Sequence, residues 1–135
     1  MILLDTNMLS ELARVTPSDP TVLIWAHAVP VAELCTTAIT EGELRFGLAL
    51  LPAGARRTAL AHAIDEAFAR VVQTRVLSFD RMAAPIYIDL AVERQKHGRS
   101  VDIADLQIHA IGRACCCGNW HAQYPGVHGL RCPTY

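Results

Sequence analysis

Met1-Ile2-Leu3-Leu4-Asp5-Thr6-Asn7 is the stretch on which the fold turns. Ile2 to Leu4 reads as a short buried strand, apolar on both faces. A carboxylate one residue past such a strand is costly unless something there pairs with it or uses it. In an open α/β sheet the functional crevice lies beyond the carboxyl ends of the strands. Asp5 stands at such an end, which makes it the first candidate functional residue.

The elements downstream supply the sheet that this reading needs. Asn7 to Ala13 predicts a brief helix, and Ser18-Asp19-Pro20 supplies a cap and a first-turn proline for a second helix to about Val29. Leu34 to Thr37 is a second strand. Thr40 opens a helix whose Leu44, Gly47, Leu48 and Leu51 share one face. After Pro52-Ala53-Gly54 comes a longer amphipathic helix carrying Leu60, Ile64, Phe68 and Val71. Val76-Leu77 is a third strand, and Asp80 or Ala84 starts a helix that ends near Gly98, a C′ glycine. Asp102 caps a last helix from Ile103 to about Ala114. Strands alternating with helices predict an α/β domain around a short, mainly parallel sheet.

Composition narrows the functional classes. The 135 residues are 52% apolar with a net charge of −1, which fits one folded domain and excludes a chain coated in cations. Any nucleic-acid contact is therefore local, at Arg56-Arg57 or at Arg94-Gln95-Lys96-His97-Gly98-Arg99, although solvated helix ends account for both. No apolar run reaches the roughly 18 residues of a membrane span. The apolar start carries no basic leader, so the expected address is the cytoplasm. Among the histidines, His27, His62 and His97 read as surface positions. His109 lies one helical turn after Asp105 and reads as a helix-face residue.

Phosphodiester hydrolysis with a divalent ion needs carboxylates that converge from separate segments. Two further acids qualify, and each has a structural explanation. Thr40-Glu41-Gly42-Glu43 fits a capping box, with Thr40 as the cap and Glu43 three residues on. In Asp102-Ile103-Ala104-Asp105, Asp102 suits a cap and Asp105 lies one turn later on the same side. Composition alone leaves both pairs open.

Three segments together resemble one family: Met1 to Asn7, Thr37-Ala38-Ile39-Thr40-Glu41-Gly42-Glu43-Leu44-Arg45-Phe46-Gly47, and Asp102-Ile103-Ala104-Asp105-Leu106-Gln107-Ile108. They look like PIN-domain toxins of the VapC type, in the FitB-like branch, across residues 1–114. The resemblance implies a PIN-like three-layer fold and a Mg²⁺- or Mn²⁺-dependent endoribonuclease, the toxin of a type II toxin–antitoxin pair. It implies RNA as substrate, a cognate antitoxin as inhibitor and a homodimer as the assembly. Carried over by position, Asp5, Glu43 and Asp105 are the metal-site acids, Asp102 is the lesser candidate, and Thr6 or Asn7 orients a metal-bound water.

Residues 115–135 depart from that pattern. No Asp or Glu follows Asp105, so the family's fourth polar or acidic position is missing. Four of five cysteines (Cys115, Cys116, Cys117 and Cys132) fall here instead. Zinc binding by Cys115, Cys117, His121, His128 and Cys132 is disfavoured, because the spacing matches no pair-loop-pair pattern. An out-of-frame tail fits better: one nucleotide forward from Trp120, the genetic code permits Thr-Arg-Asn-Thr-Arg-x-Phe, the family's missing stretch. The expected consequences are an atypical or disrupted last strand, an exposed sheet edge and a three-acid site.

Two other readings follow. One is a catalytically degenerate domain that still binds antitoxin through its N-terminal helices. The other is a haloacid-dehalogenase-type phosphatase, which wants a second Asp two residues after the first; Asn7 stands there.

Overall fold

The computed structural model describes residues 1–14, 20–72, 75–98, 100, 102–115 and 130–131; the side chains of Leu23, Val71 and residues 130–131 are not among the features it describes. Four strands form one sheet in the order β3-β2-β1-β4: β1 Ile2–Leu3, β2 Leu34–Thr37, β3 Val76–Leu77 and β4 Leu130–Arg131. β1 pairs parallel with β2 (Ile2 opposite Leu34, Leu3 opposite Cys35), and β2 pairs parallel with β3 (Thr36 opposite Val76). The helices are α1 Thr6–Leu12, α2 Pro20–Ala28, α3 Ala38–Ala49, α4 Ala55–Ala67, α5 Ala83–Lys96 and α6 Ile103–Cys115.

Pleat alternation sorts the core into two sides. Ile2, Leu4 and Leu34 pack with Met8 and Leu9 of α1, Leu44 of α3 and Ile64 of α4. Leu3 and Cys35 face the other way, onto Ile108 of α6. Ala83 of α5 completes that second side against Ala110 and Ile111. The result is the expected three-layer arrangement, with the sheet between helices.

Buried polar groups pin the strands in register. The Leu4 amide donates to the Cys35 carbonyl at 2.8 Å, and the Thr36 hydroxyl donates to the Leu4 carbonyl at 2.8 Å. Arg75 lashes the β2 entrance, donating from Nε to the Leu34 carbonyl at 2.7 Å and from its guanidinium to the Val31 carbonyl. Thr36→Val keeps the shape but removes the donor to Leu4. It is expected to cost about 1–3 kcal/mol in urea unfolding, the range for a buried polar group left short of a partner. An unchanged midpoint would show that the Leu4 carbonyl is satisfied without it.

Three expectations are corrected. α3 starts at Ala38, because Thr37 and not Thr40 is its cap: Thr37 Oγ1 accepts from the Thr40 amide at 3.0 Å. The helix at Asp80 starts at Ala83, since the Asp80 carboxylate accepts from the Met82 and Ala83 amides at 2.9 and 3.0 Å. The sheet edge at β1 is not bare, because β4 pairs antiparallel with it (Ile2 opposite Arg131, Leu3 opposite Leu130). Backbone pairing of two residues needs no alternating side-chain pattern, which is why the tail's composition concealed it.

Other details agree. Gly98 ends α5 with φ +64°, the left-handed conformation of a C′ glycine. Past α4 the chain widens into a π turn over Phe68–Val72, with Phe68 and Val72 buried.

Candidate functional site

Asp5 leaves β1 in extended conformation (φ −81°, ψ 177°) and caps α1, with Oδ1 accepting from the Met8 amide at 2.8 Å. That bond fixes the carboxylate at the carboxyl end of the strand. Thr6, the first residue of α1, donates its hydroxyl to Oε2 of Glu43. Asp5 and Glu43 thus belong to helices joined by a direct side-chain bond.

The cap at Thr37 decides what Glu43 does. A capping-box acid sits three residues past the cap, and for Thr37 that position is Thr40. Glu43 lies a further turn along α3, so the capping explanation no longer applies to it. The neighbouring acid, Glu41, is the structural one. It pairs with Arg45 at 2.8 Å, raising the guanidinium pKa, and Arg45 reaches Asp65 of α4 at 3.2 Å. Glu43 instead borders a hollow of about 170 Å³ between α1, α3 and α4, lined by Thr6, Ser10, Leu48 and Leu60 among others.

The α6 pair divides differently. Asp102 is a cap, with Oδ1 accepting from the Asp105 amide at 3.2 Å and its carbonyl accepting from the Leu106 amide at 3.1 Å. Asp105 is exposed on the first turn. Its carbonyl accepts from Nδ1 of His109 at 2.8 Å, so His109 is held along its own helix, as a helix-face residue. Asn7 is exposed, and its side chain makes no hydrogen bond among the described residues.

The structure therefore joins Thr6 to Glu43 and places Asp102 beside Asp105. It does not close Asp5, Glu43 and Asp105 into a cage. Among the described residues no group of three or more His, Cys, Asp or Glu side chains could hold a metal ion. The candidate donors are all carboxylates, which excludes a thiolate–imidazole zinc site from this set. They fit the chemistry of Mg²⁺, which keeps several waters and is commonly bound through one or two carboxylates plus substrate phosphates.

Cys35 takes no part. Burial pushes its thiol pKa up to about 11, with the neighbouring Cys115 adding to the effect, and the S–H donates to the Ile2 carbonyl at 3.4 Å. Such a thiol is a packing group. Cys115 is exposed at the end of α6, and Cys116, Cys117, His121, His128 and Cys132 lie outside the described residues. The Thr6–Glu43 bond was absent from the sequence reading, and no local spacing signals a contact between residues 37 apart.

Comparison with known proteins gives consistent findings. The family model for the PIN domain matches residues 2–114. The chain is 42% identical over 114 residues to the VapC ribonuclease Y4jK of Sinorhizobium fredii, covering 84% of this chain and 81% of that protein. It is 34% identical over 113 residues to the toxin FitB of Neisseria gonorrhoeae, with the same coverage of 84% and 81%. In three dimensions it resembles the crystal structure of FitAcB from N. gonorrhoeae, with TM-score 0.72 and 32% identity over 84% of this chain and 81% of that one.

Proposed function

The chain belongs to the PIN-domain family, and from that premise we propose that it is an endoribonuclease, the toxin of a type II toxin–antitoxin pair. The observation that carries the site assignment is the Thr6–Glu43 hydrogen bond beside Asp5, at the carboxyl end of β1. It commits an acid on α3 to the end of the sheet where α/β proteins bind ligands.

In this reading Asp5, Glu43 and Asp105 would hold Mg²⁺ or Mn²⁺ once drawn closer together than the structure has them, with Asp102 secondary because its carboxylate already caps α6. The ion supplies Lewis-acid charge and a water of lowered pKa for attack on an RNA phosphodiester. The chain's own contribution is position. The Met8 amide fixes Asp5, and the Thr6 hydroxyl fixes Glu43 while its oxygen can still accept a hydrogen bond from a water. Asn7, exposed one residue later, offers the oxygen and the NH₂ of its side-chain amide to solvent.

Thr6→Val is therefore expected to reduce cleavage by about tenfold, and Thr6→Ser to restore most of it, since an oriented group contributes through geometry as well as identity. Equal rates for all three chains would remove Thr6 from the site. The whole reading is tested by incubating a structured RNA with the chain and Mg²⁺ or Mn²⁺, with and without chelator. Cleavage that survives the chelator overturns the metal assignment; a folded chain that cuts no RNA overturns the nuclease.

The same proposal includes a cognate antitoxin, a homodimer and a cytoplasmic setting. The solved structures it resembles include FitAB bound to a DNA fragment and a member of the VapBC family of toxin–antitoxin systems from Mycobacterium tuberculosis. Among the described residues no helix is long and apolar enough to cross a membrane. A second reading, an antitoxin-binding module without catalysis, is favoured by one observation: no acid follows Asp105. Antitoxin capture without metal-dependent cleavage is the result that would select it, and sedimentation equilibrium reads the assembly state.

A further inference from the structure

Two strands end side by side at the candidate site, and each runs directly into a helix cap. Ile2 lies opposite Leu34 and Leu3 opposite Cys35, and the Leu4 amide carries the pairing on to the Cys35 carbonyl. The same register, two residues further, sets Asp5 opposite Thr37. Neighbouring strands lie about 4.8 Å apart, so the two caps are close neighbours. Pleat alternation turns Thr37 the same way as Cys35, toward α6. Thr36 faces the opposite layer, where its hydroxyl holds the Leu4 carbonyl.

Thr37 and Thr40 are both fully buried, yet their hydroxyls are not both satisfied. A hydroxyl donates one proton and accepts at two lone pairs. Thr37 Oγ1 accepts from the Thr40 amide at 3.0 Å, and a single hydrogen bond of 3.0 Å joins it to Thr40 Oγ1. That bond uses one of the two hydroxyl protons, so the other has no acceptor among the described residues. Capping requires only an oxygen that accepts, so the cap at Thr37 does not account for the remaining proton. A buried donor left unmet is destabilising until a partner reaches it.

We propose that Thr37 is a positioning residue for Asp5, its hydroxyl donating to the Asp5 carboxylate when the site acids close on a divalent ion. The inference rests on the metal-dependent reading above and deepens it. Of the two hydroxyls, Thr37 is the one in register with Asp5, and Thr40, at the first turn of α3, donates to it from behind. An ionised carboxylate accepts at both oxygens, and the Met8 amide takes Oδ1. Carboxylates that bind a metal are themselves held by hydrogen bonds, and loss of such a partner weakens the site about 10–100-fold.

The test is Mn²⁺ binding to the full chain, read from the loss of the free-ion electron paramagnetic resonance signal, with no RNA present. Thr37→Val is expected to weaken binding about tenfold or more, and Thr37→Ser, which keeps both hydroxyl and cap, to restore it. Where Thr37→Val does not fold, Thr37→Gly removes the hydroxyl at little cost in capping and carries the same expectation. Thr36→Val is the control, since it loses a buried hydroxyl one residue away on the opposite face. Its Mn²⁺ affinity is expected to match that of the wild type. Undiminished binding without the Thr37 hydroxyl, or an equal loss in Thr36→Val, overturns the positioning role, while binding that Asp5→Ala abolishes keeps the metal site standing. A wild-type chain that binds no Mn²⁺, or whose Asp5→Ala variant binds it equally well, overturns the metal reading and this inference with it.

Discussion

Asp5→Asn is expected to lower RNA cleavage by about 10²–10³-fold, the loss typical of removing one electrostatic group from a preorganised site. The substitution separates the residue's two roles. As a cap, Asp5 needs only an oxygen that accepts from the Met8 amide, and Asn is as good an N-cap as Asp. The cap should therefore survive while the negative charge is lost. Asp5→Ala removes both roles and should add about 1 kcal/mol of destabilisation to the same catalytic defect. Single-turnover cleavage of a structured RNA, beside thermal unfolding of all three chains, makes the comparison. Cleavage by Asp5→Asn within a few-fold of wild type would mean that Asp5 is only a helix cap.

Thr37 and Thr40 show how far the local sequence reached. Only Thr40 is followed three residues later by an acid, Glu43, so the capping-box pattern pointed to Thr40. Thr37 is the cap because its pairing with Leu77 of β3 holds it extended, so the helix begins immediately after the strand. That constraint comes from residues 40 positions away (77 − 37), beyond any local window. By contrast, β2 and β3 were legible because short apolar and β-branched runs bounded by helix signals have few alternatives. β4 was not legible, since a strand of two residues is too short to leave a periodic trace.

The site divides along the same line. Asp5 stood out as a candidate from position alone, and the structure gives that charge a local reason as the cap of α1. Glu43 became distinguishable from Glu41 only in three dimensions. The shifted cap frees one from helix capping, and Arg45 claims the other. The fourth acid of the family pattern has no counterpart in the sequence after Asp105. The catalytic case therefore depends on how the remaining acids share the work, and most of all on the α6 pair.

Asp105→Asn is expected to reduce cleavage by about a hundredfold, and Asp102→Asn to leave it within about threefold, since Asn can keep the cap. Asp102 accepts from the Asp105 amide at 3.2 Å, a bond that an asparagine oxygen also makes. Asp105 occupies the position from which a capping-box acid would reach back, yet it makes no such side-chain bond among the described residues. Its carboxylate is exposed at a helix start, where the dipole lowers the cost of negative charge, so it is available to a cation. The reversed result, an active Asp105→Asn and an inactive Asp102→Asn, would move the third acid one turn upstream. Combining Asp105→Asn with Asp5→Asn adds a sharper criterion. Residues acting as a unit lose little more together than apart, so a double variant about as slow as the worse single one is the expected outcome. Multiplied losses would instead mean that the two acids act separately, and that no common ion joins the end of β1 to the start of α6.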